Sequence, residues 1–212
     1  YNEHCGNCYY CRNGQEQFCS NMTGTSAAMS DYIVVREQSV HKLEDTCSLE
    51  RGALIEPISV CLHGIDLARI KCGASVAISG GGTMGLLRTQ LAKRSGATKL
   101  TVIEPIEMKR EMAMKLGAEY TIDPVGQDRV AEAMKITKDR GFDVVIEASG
   151  SYRACDHIED LVGKGGTLEF FAALYKHDYD YKLNLFNAFF KEITVVGGVF
   201  QSPYAFPRSV AL

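Results

Sequence analysis

The sequence lacks a strong charge of either sign, a long apolar run, an internal repeat and a low-complexity tract. Its 212 residues carry 23 Lys and Arg against 26 Asp and Glu, which gives a formal net charge of −3. A dense basic run is also missing, so the composition does not favour nucleic acid as a partner. No apolar stretch has the roughly 20 residues that a membrane-spanning helix needs. These absences predict a cytoplasmic globular protein with room for one large domain and a smaller piece.

Eight cysteines contrast with these absences. The first four follow the spacing C-x2-C-x2-C-x7-C, at Cys5, Cys8, Cys11 and Cys19. Two-residue turns bring neighbouring sulfurs together, and the longer arm lets the fourth sulfur complete a tetrahedral cage around Zn²⁺. Because four thiolates leave no open position for water, such a zinc would be structural rather than catalytic.

Two other interpretations of these cysteines must be weighed. Disulfides are typical of small secreted scaffolds, and nothing else in the sequence has that character. Bacterial ferredoxins share C-x2-C-x2-C, but their fourth cysteine follows after three residues and precedes proline, whereas Cys19 follows after seven and precedes Ser20. Structural zinc is therefore the preferred prediction. The remaining cysteines are scattered and are expected to be buried thiols: Cys47, Cys61, Cys72 and Cys155.

Beyond residue 73, short apolar runs alternate with amphipathic stretches. The apolar runs predict six strands, at 75–79, 99–104, 120–122, 142–147, 166–171 and 193–196. Helices are predicted between them, at 84–95, 107–116, 127–139, 152–161 and 183–190. Runs such as VAI, LTVI and VVI are continuous, as expected of strands that are buried on both faces. The pattern predicts an α/β fold, a doubly wound parallel Rossmann sheet.

The first 72 residues have a different pattern. Besides the cysteine loop they contain an apolar stretch at 29–37 that predicts a strand. A second apolar segment begins at Leu49 and includes Pro57. Since proline suits the first turn of a helix, a helix is predicted from Pro57 to about Arg69.

The turn after the first strand of the predicted sheet, at 80–85, has the sequence GGGTMG and matches G-x-G-x-x-G. In this motif Gly80 permits a tight turn, and Gly82 lets the backbone approach a pyrophosphate. Gly85 lets the following helix pack closely on the strand. Glycine-rich turns are common, so the motif needs support from its surroundings.

That support is present on both sides of the turn. The motif follows a predicted strand and opens a predicted helix, whose first-turn N–H groups at Thr83 and Met84 would hold phosphates. Glu104 ends the second strand nineteen positions beyond Gly85, close to the expected interval of about 20. It would accept hydrogen bonds from the adenosine ribose and repel a 2′-phosphate, which predicts NAD. The alternative is a solvated glutamate at a strand end.

Further candidates for the cofactor site lie near this turn. Lys109 and Arg110 could offset the repulsion of a 2′-phosphate by Glu104, although both also suit the solvated face of an amphipathic helix. Small residues follow the fourth strand at its carboxyl end, where ligands lie in open α/β sheets. These residues, which could also form an ordinary turn, are Ala148, Ser149 and Gly150.

The chain resembles the zinc-dependent medium-chain dehydrogenases, the group that contains the alcohol, sorbitol, butanediol and threonine dehydrogenases. The resemblance runs from HCGNCYYCRNGQEQFC through ALIEPISVCLHGI and ISGGGTMGLL to KEITVVGG. It implies a β-rich, GroES-like catalytic domain that is joined to a Rossmann domain. On that basis we expect 1–55 to be a partial catalytic lobe with a structural zinc loop, 56–72 a connecting helix, and 73–212 the NAD-binding domain.

The resemblance also implies roles for particular residues. It assigns the four-cysteine loop to structural zinc, Glu104 to the ribose, and Lys109 to the neighbourhood of the adenosine. Glu56, which precedes Pro57, has the position of a catalytic-zinc ligand or near-ligand in the polyol and threonine branches. The alternative for Glu56 is a first-turn glutamate that the helix dipole stabilises. His63 is expected to be a packed histidine rather than a ligand.

The activity that this resemblance implies is hydride transfer between a secondary alcohol or polyol and NAD, by a zinc-containing homodimer or homotetramer. The other catalytic-zinc ligands of the family precede the cysteine loop, so we expect this chain to be a fragment that is inactive by itself. One alternative is a non-catalytic dinucleotide-binding module with a zinc lobe, because this chain lacks most of the catalytic ligands. Another is a zinc-free reductase of the same superfamily, although such reductases generally lack the four-cysteine loop. Pairing of sheet edges near Val199 is expected to form the dimer.

Overall fold

A computed structural model describes residues 2–24, 29–172 and 180–212, and of Asn2 and Gln38 it describes only the backbone. The chain divides into two compact units. One unit consists of Tyr1–His63 together with Val199–Leu212, and the other consists of Gly64–Gly198. No described helix is long and apolar enough to cross a membrane.

The first unit contains short elements. Strand β1 (Asn2–Glu3) pairs antiparallel with β2 (Thr23–Gly24), so the cysteine loop is closed at its base by a two-stranded ladder. Its other elements are α1 (Tyr9–Arg12), α2 (Leu49–Gly52), α9 (Ala205–Val210), and 3₁₀ turns at Glu16–Phe18 and Glu37–Ser39.

The strand predicted at 29–37 is not formed, and this prediction was wrong. A strand requires a neighbour that bonds its N–H and C=O groups, and no described strand pairs with this segment. Its large apolar side chains are correspondingly exposed, with Met29 and Val34 almost fully accessible to solvent.

Helix α3 (Ile55–Ala68) is the longest helix described. It begins two residues before the predicted start, so Pro57 lies in the first turn, where the missing N–H has no helical partner to lose. One face of the helix is buried and includes Cys61 and Leu62, whereas His63 is only half-buried.

The second unit is built on the predicted six-stranded parallel sheet, whose strand order is β5-β4-β3-β6-β7-β8. Its strands are β3 (Ser75–Ser79), β4 (Thr98–Ile103), β5 (Tyr120–Ile122), β6 (Phe142–Glu147), β7 (Val162–Phe170) and β8 (Thr194–Gly197). The order reverses between β3 and β6. In doubly wound sheets, ligands bind at such a switch point, outside the carboxyl ends of the strands.

Helices accompany this sheet, in the predicted alternation with its strands. They are α4 (Thr83–Arg94), α5 (Glu107–Lys115), α6 (Arg129–Thr137), α7 (Tyr152–Cys155) and α8 (Leu185–Lys191). The single helix predicted at 152–161 is instead two pieces, α7 and a 3₁₀ helix at Ile158–Leu161. His157 between them has a φ of +52°, which is left-handed and therefore breaks the helix.

The core explains why the strands are continuous apolar runs. Every residue of β3 is buried, and its neighbour β6 is buried at five of six positions. Val76 lies opposite Val144, and Ile78 lies opposite Ile146, so the two central strands pack apolar side chains on both faces. Burial at this density fixes the register of the strand ends, from which the candidate site is built.

Strand β8 forms one edge of the described sheet and ends at Gly197, one residue after its predicted end and before Val199, near which edge pairing is predicted. Gly198 still donates its N–H to the carbonyl of Phe170, at 3.1 Å. Phe200 has a φ of +54°, which a strand does not adopt, so the extended run stops there.

Candidate functional site

The four cysteines of the first loop converge on one point. Their sulfur atoms all lie within 4.8 Å of one another. The Sγ of Cys11 is 3.5 Å from that of Cys8 and 4.0 Å from that of Cys5. Four thiolates around zinc at 2.3 Å would lie about 3.8 Å apart in a tetrahedron. The spacing of the sulfurs therefore fits a zinc ion held by four thiolates.

Local backbone geometry arranges this cluster. Helix α1 starts directly after Cys8 and carries Cys11, and the two-residue turn before it includes Gly6, whose φ is +72°. The backbone N–H of Cys8 donates to Cys5 Sγ at 3.4 Å, and that of Cys5 donates to Cys19 Sγ at 3.3 Å. Such donors stabilise thiolate sulfur, the form that binds metal.

The cluster also perturbs the acidity of its thiols. Backbone N–H groups of Cys11 and Ser20 lower the pKa of Cys8 to about 6, so this sulfur is readily ionised. Burial, followed by hydrogen bonds with Cys8 and Cys19, raises the pKa of Cys11 to about 12. A metal cation would favour the ionised form of both. All eight cysteines are free thiols, so the disulfide interpretation is not supported.

The other cysteines only partly match expectation. Cys61 and Cys155 are buried, as predicted. Cys47 is half-buried and Cys72 is exposed, so the prediction was wrong for Cys72. It lies in the turn between α3 and β3, and such connecting turns run over the protein surface.

Three glycines shape the turn after β3. Gly80 has a φ of +111°, and a Cβ there would lie 2.8 Å from the Cα of Ser149. A Cβ on Gly85 would overlap the carbonyl oxygen of Gly80, so this glycine lets the first turn of α4 close over the strand end. At Gly82 a Cβ would meet no described atom within 4 Å. The backbone there faces open space at the start of α4, as a pyrophosphate would require.

Glu104 lies immediately after β4 and is buried beside this turn, with 5% of its surface exposed. Its Oε2 accepts a hydrogen bond from the N–H of Gly81 at 2.7 Å, and its Oε1 accepts one from Ile106 at 3.0 Å. The solvated-glutamate alternative is therefore wrong. Each carboxylate oxygen has a second lone pair, so both can accept a further hydrogen bond from a hydroxyl.

The two basic residues at the start of α5 differ in the contacts that their side chains make. The guanidinium of Arg110 donates to the carbonyls of Glu104 and Pro105, at 2.8 and 2.7 Å, and lies 3.7 Å from Asp123. Arg110 is thus committed to holding the backbone after β4. Lys109 is half-buried, and its ammonium makes no hydrogen bond or ion pair to the described residues. Of the two, Lys109 has the side chain that is available to a ligand.

At the end of β6 the predicted residues Ala148 and Ser149 lie against the glycine turn. Ala148 donates its N–H to the carbonyl of Ser79 at 2.9 Å, which ties the ends of β3 and β6 together. Ser149 donates both its N–H and its hydroxyl to Oε1 of Glu147. Burial raises the pKa of Glu147 above the ordinary value, although these hydrogen bonds oppose the shift.

The sequence reasoning missed Glu147 and a second buried charge site. Arg88 of α4 and Glu169 of β7 form an ion pair in which neither side chain is exposed. An arginine in a helix and a glutamate inside the run GTLEFF were each visible in the sequence. Their pairing was not, because 81 residues separate them.

Glu56 is exposed in the first turn of α3. It lines a cavity of about 560 Å³ together with His4, Glu16, Gln17 and His41. Within the described ranges, the four-cysteine loop is the only group of three or more His, Cys, Asp or Glu side chains that is placed to hold a metal ion. The role of Glu56 as a zinc ligand therefore remains a prediction.

Two family profiles match the chain in succession. The profile of the alcohol dehydrogenase GroES-like domain matches residues 1–45, and that of the zinc-binding dehydrogenases matches residues 83–212. The chain belongs to the zinc-binding dehydrogenase family. This membership confirms the family and the Rossmann-type fold that the sequence predicted.

Relatives of known name agree with this assignment. L-Threonine 3-dehydrogenase of Pyrococcus abyssi is 36% identical over 197 residues, which are 91% of this chain and 56% of that enzyme. Sorbitol dehydrogenase of Bacillus subtilis is 34% identical over 169 residues, which are 77% of this chain and 48% of that enzyme. The chain thus spans about half the length of these relatives.

Solved structures show the same similarity in three dimensions. A protein described as a zinc-binding dehydrogenase, from Sinorhizobium meliloti 1021 and bound to NADP, superposes with a TM-score of 0.92 at 32% identity. It is covered to 63% of its length by the whole of this chain. A further zinc-binding dehydrogenase structure, from Clostridium scindens ATCC 35704, gives a TM-score of 0.93 at 31% identity and is covered to 60%.

Proposed function

We propose that the protein to which this chain belongs is an NAD-dependent, zinc-containing oxidoreductase that transfers hydride between a secondary alcohol or polyol and the nicotinamide. Support comes from the threonine and sorbitol dehydrogenases among its relatives. The observation that carries the proposal is the hydrogen bond from Gly81 to Glu104, because it places a buried carboxylate beside an open glycine turn at the switch point of the sheet.

The residues at the carboxyl ends of β3, β4 and β6 have distinct roles in the proposed cofactor binding. The turn at 80–85 holds the pyrophosphate through backbone N–H groups at the start of α4, with Thr83 and Met84 in its first turn. Glu104 accepts hydrogen bonds from the adenosine ribose. Ala148 and Ser149 border the cofactor at the end of β6. The nicotinamide, when bound, supplies the hydride-transfer chemistry, and the protein supplies position and electrostatics.

The choice of NAD over NADP depends on the balance of two charges. Glu104 would repel a 2′-phosphate, and the free ammonium of Lys109 would attract one. Since Arg110 is committed to backbone carbonyls, a single lysine opposes the buried carboxylate. We therefore favour NAD, while the related S. meliloti structure contains NADP.

The proposed enzyme has two zinc sites. The four-cysteine loop would hold one ion with no open position, which stabilises the first unit without taking part in the reaction. Glu56 would be a ligand, or a near-ligand, of a second ion beside the 560 Å³ cavity. Zinc at that position would act as a Lewis acid towards the substrate oxygen.

One observation favours a second candidate function. The described residues place no second set of three metal-ligating side chains around Glu56. A non-catalytic dinucleotide-binding module with a structural zinc lobe would need no such set. The two candidates share the site at 80–85 and differ in whether an alcohol is oxidised.

Organisation, assembly and location also belong to the proposal. We assign 1–55 to a catalytic lobe, 56–72 to a connecting helix, and 73–212 to the NAD-binding domain. We further propose a cytoplasmic homo-oligomer that pairs through the free edge of β8. An apolar edge strand is a liability unless it is covered or paired, and a two-fold contact is the commonest arrangement of homo-oligomers.

The experiment that tests the cofactor assignment compares NADH and NADPH binding by titration calorimetry. We expect Glu104→Ser to shift the ratio of the two affinities towards NADPH by about tenfold, mainly through better NADPH binding. Glu107→Ser removes the same charge from an exposed position of α5 and should leave the ratio unchanged. Equal affinities of the unaltered protein for NADH and NADPH would show that Lys109 offsets the charge of Glu104, and that Glu104 does not determine the preference for NAD.

A further inference from the structure

The buried ion pair between Arg88 and Glu169 has geometry that stability alone does not explain. Two parallel hydrogen bonds join the side chains, with Nη1 to Oε2 at 2.7 Å and Nη2 to Oε1 at 2.9 Å. Both side chains are fully buried. Replacing such a pair by well-packed apolar residues is often neutral or stabilising, since the charges lose their hydration on burial.

The surroundings of the pair are shaped for a guanidinium. A Cβ on Gly64 of α3 would overlap the guanidinium group of Arg88, so only glycine at this position leaves room for that group. The Arg88 Nε is buried and has no hydrogen-bond partner among the described residues. On its flat face, Arg88 Cζ lies 3.6 Å from the ring centroid of Phe171, a cation–π contact.

Phe171 is the first residue after the carboxyl end of β7. Its N–H donates to the carbonyl of Glu147 at 3.0 Å, which holds its backbone beside the end of β6. In a doubly wound sheet each half binds one nucleotide of a dinucleotide. Glu104 marks the β3–β4 half as the adenosine side, so the β6–β7 half, with Phe171 at its edge, faces the nicotinamide side.

We propose that Arg88 and Glu169 are positioning residues that fix Phe171 at the nicotinamide end of the cofactor site. The carboxylate of Glu169 orients the guanidinium, and the guanidinium in turn holds the aromatic ring. Helix α4, whose N-terminus is assigned to the pyrophosphate, is thereby tied to the strand end that borders the other nucleotide. This inference rests on the proposed dinucleotide function.

The test separates the two ends of the cofactor, because ADP-ribose lacks the nicotinamide and NADH carries it. Arg88→Met alone would leave Glu169 buried and unpaired, so the pair is removed as Arg88→Met/Glu169→Met, which restores an apolar match. We expect this double variant to bind ADP-ribose within about twofold of the unaltered protein but NADH at least about fivefold more weakly. Titration calorimetry measures both affinities.

Two further variants sharpen the result. Phe171→Ala leaves the pair in place and should weaken NADH selectively, to a similar extent, even if the double variant folds poorly. Added to the double variant, Phe171→Ala should have no additional effect, because the three side chains act through one contact. Lys93→Met/Glu119→Met removes an exposed ion pair of α4 and should alter neither affinity.

Unchanged NADH binding in both the double variant and Phe171→Ala would overturn the positioning role. A parallel loss of ADP-ribose and NADH would also overturn it, since that result indicates general damage to the site. Failure of the unaltered protein to bind either compound would contradict the proposed function itself, and this inference with it.

Discussion

Glu104 and Gly81 are joined by a hydrogen bond in which the backbone N–H of Gly81 donates to Oε2 at 2.7 Å. The contact connects the end of β4 with the turn after β3. The carboxylate that we assign to the ribose therefore also sets the shape of the turn that we assign to the phosphates. A second bond, from Ile106 to Oε1, fixes the carboxylate plane. Recognition of the two parts of a cofactor is thus coupled through one side chain.

The cysteine cluster gives the first prediction. One zinc ion per chain should be present after mild purification, and Cys8→Ser should lower zinc affinity by about tenfold or more, because a neutral hydroxyl replaces a thiolate ligand. Inductively coupled plasma mass spectrometry with a competing chelator measures this. Cys72→Ser changes an exposed thiol outside the cluster and should retain the ion. Iron with labile sulfide would exclude the zinc assignment.

Gly85 gives a prediction about stability. A Cβ at this position would overlap the carbonyl oxygen of Gly80, and backbone cannot yield as a flexible side chain can. Gly85→Ala should therefore destabilise the fold by about 2 kcal/mol or more in urea unfolding. Gly197→Ala is the control, because a Cβ there meets no described atom within 4 Å. Equal stability of Gly85→Ala and the unaltered protein would show that the turn is not closed as described.

Glu147 gives a prediction about pH. Burial raises its folded-state pKa above the ordinary value of 4.5, so the folded protein holds the proton more tightly than the unfolded chain. Its contribution to stability is therefore greatest below the unfolded pKa and is lost as pH rises towards the folded pKa. The stability of the unaltered protein relative to Glu147→Gln should fall across that window in urea unfolding series.

Glu119 provides a control of opposite sign for this experiment. A hydrogen bond from Lys93 lowers its pKa. The unaltered protein should therefore be more stable than Glu119→Gln above the unfolded-state pKa, and this difference should disappear as pH falls. The difference should be smaller than that for Glu147, because the Glu119 side chain is partly exposed. A difference between the unaltered protein and Glu147→Gln that does not vary with pH would contradict the assigned shift.

The edge of β8 gives a prediction about assembly. Gly198 directs its N–H to β7, and by alternation along the strand Val195 directs its own N–H to the free edge. Val195→Pro should leave the folded unit intact but shift sedimentation at micromolar concentration from dimer towards monomer. Thr194→Val, which retains every backbone donor, should sediment as the unaltered protein does. An unaltered chain that is already monomeric would exclude edge pairing.

Much of the fold could be predicted from the local pattern of apolar and polar residues in the sequence. Residues 75–79 and 142–147 were predicted as strands with their observed bounds, because strands that are buried on both faces contain continuous apolar runs. The stretch at 29–37 also contains an apolar run, YIVV, but no described strand pairs with it. Apolar content alone does not distinguish the two cases, because pairing is a property of the tertiary structure.

The candidate site was predictable where its chemistry is carried by short motifs. The cysteine spacing and the glycine turn each place their residues within a few positions of one another, so local geometry determines the result. Glu104 was found by its interval from the glycine motif. Arg88 and Glu169 were not found, because contacts between distant segments and the room left by Gly64 have no local signature.

The central claim is that the open turn at 80–85 holds the pyrophosphate of a nicotinamide dinucleotide, and Gly82 tests it most directly. A Cβ at Gly82 would meet no described atom within 4 Å, and the φ of −74° at this position suits alanine. Gly82→Ala should cost about 1 kcal/mol or less, since alanine is a poorer N-cap. Its affinity for NADH in titration calorimetry should nevertheless fall by about tenfold or more, because the methyl group occupies the space of the phosphates. Unchanged NADH affinity in a fully folded Gly82→Ala variant would contradict the account.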